Sequence, residues 1–166
     1  MSRIDRYMDK ISAGTSEQKA KRKLAAFFSK EEFEQAFELY VNSALRVLAD
    51  LESRGSKNAE KEFIKLQLLK EAIGYITSDS EGDYAKSYAT LVGGEMVQSI
   101  ADIDTVILSS ALVIRELVPK NDVNALTILN MINGCEKRLF DVLEPHMVTL
   151  KKDAKVLQNA GCFRTN

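Results

Sequence analysis

The ten residues Thr105-Val106-Ile107-Leu108-Ser109-Ser110-Ala111-Leu112-Val113-Ile114 carry no charge on any face, inside a longer stretch that runs from Tyr84 to Val118. A helix that is apolar all round needs cover on several sides, and everything around this one is amphipathic. The expectation is a central hydrophobic helix, about residues 95–118, with the other helices packed around it. On that reading Leu108 is buried, and Leu108→Asp loses about 1.5–3 kcal/mol of apolar burial while inserting an unpaired charge. Residues 105–108 and 112–114 are rich in β-branched side chains, which raises a strand as the alternative. No Gly, Pro or Asn turn occurs between Glu95 and Val118, so such strands would have no return connection to pair with.

The flanking sequence has helical period throughout. Ile4, Tyr7, Met8 and Ile11 follow Ser2 at i, i+3, i+4 and i+7, and Gly14 ends that run. A second helix starts near Thr15 or Ser16 and carries Lys19, Lys21, Arg22 and Lys23 before the apolar group Leu24 to Phe28. Ser29-Lys30-Glu31-Glu32 has the spacing of a capping box and is expected to open the next helix. There Phe33, Phe37, Tyr40, Ala44, Val47 and Leu51 step by four and three, the spacing of a seam between nearly aligned helices, until Gly55. Ser56 or Asn58 caps a further helix with Phe63, Leu66, Leu69, Ile73 and Ile76 on its apolar face, and Thr77 to Asp83 has the composition of a loop.

Gly93-Gly94 weakens the central helix by about 1 kcal/mol per glycine relative to alanine, so a kink or split is expected there. Pro119 ends it and Asn121 caps the last helical region, whose seam is Phe140, Leu143, Met147, Leu150, Ala154 and Leu157. Pro145 lacks a donor and crowds the carbonyl of Asp141, so this region bends or divides there. Gly161 closes it. The fold class is therefore all-α: a single-domain helical bundle, residues 1–166, of five to seven helices, with 1–28 as a semi-independent basic N-terminal arm.

Composition narrows the function classes. A hydrophobic fraction of 45% with 28% charged residues suits a globular domain, and a net charge of -1 gives no global attraction to nucleic acid or acidic lipid. The two cysteines, Cys135 and Cys162, form neither a disulfide framework nor a CxxC pair. The opening residues lack the apolar core of a secretory signal, and no run reaches the ~18 apolar residues of a membrane span, so a soluble cytoplasmic chain is expected.

The chemistry-bearing residues are sparse. His146 is the single histidine, which excludes two-histidine metal sites within the chain and rests any histidine-based triad on one residue. Glu95, Asp102, Asp104 and Glu116 lie along the central helix but lack the Glu-x-x-His pairs of carboxylate-bridged di-metal bundles. Asp79, Glu81 and Asp83 around Gly82 lack the closing glutamate of a calcium loop. Gly93-Gly94-Glu95 fits neither phosphate-binding nor dinucleotide fingerprints and reads as close helix packing. Neither cysteine has a histidine and a basic residue beside it in sequence.

One local anomaly stands out. Residues 1–30 hold eight basic against three acidic residues, and residues 31–54 hold six acidic against two basic. Lys19, Lys21, Arg22 and Lys23 form the candidate site for an anionic partner or an acidic neighbouring helix. The leading expectation is a non-enzymatic helical protein that binds another protein or itself, without cofactor or metal. Nucleic-acid binding through the basic helix is the alternative. A small-molecule pocket lined by Phe63, Tyr88 and Met96 is the third.

Overall fold

The computed structural model describes residues 16–78, 94–121 and 123–160. They form an all-α bundle of six helices: α1 (Ser16–Phe28), α2 (Glu31–Ser53), α3 (Lys57–Thr77), α4 (Ile103–Leu117), α5 (Val123–Leu143) and α6 (Met147–Ala160). A short helical segment, Gly94–Ala101, leads into α4, and a 3-10 turn, Glu144–His146, joins α5 to α6. Helix α2 packs along α3 and α5, α4 lies against α3, α5 and α2, and α1 is held by α6 and α3. The expected helix at 2–14, residues 79–83 of the expected Thr77–Asp83 loop and the tail from Gly161 lie outside the described residues, while Thr77 closes α3.

Local chemistry sets most boundaries. At the end of α2 the chain reverses through Gly55, whose φ of +97° lies in the left-handed region. Its N–H donates to the Glu52 carbonyl at 2.8 Å, while the Ser56 N–H reaches back to that of Leu51 at 3.2 Å, the paired bonds of a Schellman stop. The Ser56 hydroxyl then accepts from the Ala59 N–H at 3.2 Å and caps α3. Pro145 divides the last helical region as its missing donor requires, standing in the first turn of the 3-10 segment.

The Ser29 capping box does not form. The Ser29 N–H still bonds to the Ala25 carbonyl, and the N-cap of α2 is the extended Lys30, whose carbonyl accepts from Glu34 and whose side chain caps nothing. The junction follows packing: Phe28 and Phe33 are both buried, with ring centroids 5.2 Å apart. Glu31, Glu32 and Glu34 supply the negative charge that favours a helix N-terminus.

The 95–118 segment also departs from expectation. It breaks at Asp102, where Gly94–Ala101 and α4 meet at 77°, and Gly94 itself is helical and exposed rather than closely packed. Met96, Val97 and Ile100 before the bend and Ile103, Val106 and Ile107 after it are all buried. Asp102 accepts from the Gln98 side chain at 2.7 Å across the joint.

Helix α4 is covered on one side only. Ile103, Val106, Ile107, Ser110, Ala111 and Ile114 are buried, whereas Leu108 and Leu112 are 49% and 51% exposed. Tyr40 of α2 keys into the buried side. Its hydroxyl lies 2.6 Å from Ser110 Oγ, and both hydroxyls approach the Ile107 carbonyl, at 3.1 and 2.8 Å. Burial pushes the Tyr40 phenol well above its usual range, so it stays neutral within this pair of hydroxyls.

Candidate functional site

The basic cluster sits on a helix that is built into the core. Ala20, Leu24, Phe27 and Phe28 of α1 are buried, so this described part of the 1–28 stretch packs as an integral element. One of its four basic residues turns to a neighbouring helix and three stay exposed. The Lys21 ammonium stands 5.3 Å above the Tyr75 ring of α3, and Lys23 faces Asp153 of α6 closely enough to oppose the upward shift of that carboxyl. Lys19 and Arg22 are exposed, with Arg22 Nε donating to the Gln18 carbonyl at 3.4 Å. Lys19, Arg22 and Lys23, at i, i+3 and i+4, thus share one exposed face of α1, while Lys21 turns toward α3.

The other sequence candidates are likewise engaged separately. His146 is exposed and tilts against the Phe27 ring, with centroids 4.8 Å apart, at the edge of a cluster formed with Phe28, Phe33 and Phe37. Asp104 pairs with Lys151 at 3.0 Å, Glu95 and Glu116 are exposed, and among the described residues no three potential metal ligands converge. Cys135 is buried on α5, and desolvation raises its thiol. Asp79, Glu81, Asp83, Tyr88 and Cys162 lie outside the described residues.

The tertiary structure assembles polar groups that sequence reading passed over. Glu62 is only 6% exposed in the apolar seam Ala59, Glu62, Leu66, Leu69, Ile73 and Ile76 of α3. Its Oε1 accepts from Ser109 Oγ at 2.7 Å, with Lys65 Nζ at 3.7 Å, while Oε2 is buried without a partner. On the other flank of α4, Arg115 donates to Glu136 Oε1 and to Asn133 Oδ1, each at 3.1 Å. These bonds fix α4 against α3 and α5 and leave its outward stripe, Thr105, Leu108 and Leu112, turned to solvent. The three-four spacing of the α3 seam was the signal by which Glu62 was detectable in the sequence.

Among the described residues, three clefts open to solvent stand out. A cavity of about 640 Å³ lies between the second half of α2 and the start of α5. A second, of about 380 Å³, runs between α2 and α3 over Phe33, Phe37 and Ile73, with Glu34, Glu38 and Lys70 around it. The third, about 360 Å³, sits at the Asp102 bend. Phe63 is half-buried and Met96 buried, and neither lines any of these clefts. No family model, no curated protein and no solved structure matches this chain.

Proposed function

We propose that this protein acts by binding another macromolecule, a protein partner or a second copy of itself, through the outward stripe of α4. The observation that supports the reading is the half exposure of Leu108 and Leu112, one turn apart in a segment with no charged residue between Thr105 and Ile114. Single exposed apolar side chains are ordinary on protein surfaces, and Val123 and Val148 are of that kind. Leu108 and Leu112 differ because they lie on the far side of a helix whose opposite face is already in the core. The helix is apolar enough to be covered twice and is covered once.

The nucleic-acid reading has less support, since Lys21 stands over the Tyr75 ring and only Lys19, Arg22 and Lys23 share an exposed face. Size-exclusion chromatography with light scattering, on the parent and on a Leu108→Lys/Leu112→Lys variant, tests the proposal. The parent is expected to exceed the monomer mass, or to capture from a lysate of the source cell a protein that the variant does not. A monomeric parent at high concentration, with identical capture by both proteins, overturns it.

A further inference from the structure

The 640 Å³ groove between α2 and α5 stands apart from the α4 stripe and has the build of a ligand site. Its floor is apolar: Leu51, Val118 and Ala125 are buried, Val47 and Ile128 half-buried, and Met131 stands at the mouth. Its volume falls within the roughly 300–1,000 Å³ typical of small-molecule sites. One long wall is the face of α2 from Asn42 to Arg54, which rises about 18 Å, so the groove is a trough rather than a round pocket.

Among the described residues that line the groove, charge is confined to that wall. Arg46, Asp50 and Arg54 line it one turn apart, and Asp50 is taken by Arg54 at 3.2 Å. Arg46 is exposed and makes no ion pair among the described residues, which leaves the wall with one uncompensated positive charge beside an apolar floor. An elongated apolar body with a single anionic end matches both properties. The body displaces water from the floor, and a carboxylate suits the forked donors of a guanidinium.

We propose that this groove binds a free aliphatic carboxylate, with its chain along the floor and its headgroup at Arg46. A cation is repelled by Arg46, and a compact polar anion leaves the floor uncovered. The headgroup contact is charge-assisted, so its loss weakens binding at least about tenfold.

Calorimetric titration with dodecanoate, dodecanol and dodecylammonium, each below its micelle concentration, tests the assignment. The parent is expected to take up one equivalent of dodecanoate, in preference to dodecanol and more strongly still to dodecylammonium. Arg46→Glu, an exposed change that should leave the thermal melt unaltered, is expected to weaken dodecanoate at least about tenfold, strengthen dodecylammonium and leave dodecanol unchanged. Arg22→Glu on α1 serves as the distant control and should change none of the three. Absence of saturable dodecanoate binding, equal affinity for all three chains, or an Arg46→Glu variant indistinguishable from the parent overturns the proposal. So does a groove that takes a protein partner while dodecanoate fails to bind.

Discussion

Two buried carboxylates show how far single residues depart from pattern. Asp153 is 6% exposed, and burial raises its carboxyl above the ordinary 3.8 against the pull of Lys23 and Lys152. The folded chain therefore holds this proton more tightly than the unfolded chain. Its contribution is most favourable where both states are protonated, and it is lost as pH rises from below 3.8 through the folded value. Asp153→Asn should raise the urea midpoint at neutral pH and leave it unchanged near pH 3, and a lower midpoint at neutral pH contradicts this account. Glu62 tests the cost of burying a carboxylate by substitution. Its buried Oε2 lacks a partner, so Glu62→Leu in the same seam should match or exceed parental stability by up to about 1–4 kcal/mol, as found when buried charges give way to packed apolar groups. A loss above about 1 kcal/mol would show that the Ser109 bond outweighs the desolvation of the charge.

At the scale of elements, the apolar repeats and stop signals were legible because their causes are local. Gly55 must adopt a positive φ, Pro145 cannot donate, and the three-four spacing of α2 and α3 makes one face apolar whatever it packs against. Two boundaries were not legible. The junction at Lys30 follows the packing of Phe28 on Phe33, and the 77° bend at Asp102 occurs with neither glycine nor proline at the joint, between two segments that both bury apolar residues. Helix α4 supplies the sharpest contrast, since neighbouring residues in one uncharged run have opposite environments. Ile107→Asp should prevent cooperative folding or cost more than about 4 kcal/mol, whereas Leu108→Asp should stay within about 1 kcal/mol of the parent. Thermal melts of the two proteins decide it, and equal destabilisation would place Leu108 in the core.

Across the whole molecule, the basic cluster divides by helical position: Lys19, Arg22 and Lys23 share one exposed face of α1, and Lys21 turns to the Tyr75 ring of α3. The candidate groove shows the converse. Arg46, Leu51, Val118 and Ile128 come together from α2, the end of α4 and the first turns of α5, and no local spacing connects them. Among the described residues no single helix is long and apolar enough to cross a membrane, and the bent pair around Asp102 turns one face into the core. What the sequence determined by itself was the all-α class, most of the helix boundaries and the apolar faces, since period, capping and backbone restriction act within a few residues. Only the tertiary structure decided which side of the Thr105–Ile114 run is covered, where the chain bends, and which charges meet. Those outcomes depend on which distant helix arrives at each face, and a helix that is apolar all round carries no local preference among its faces.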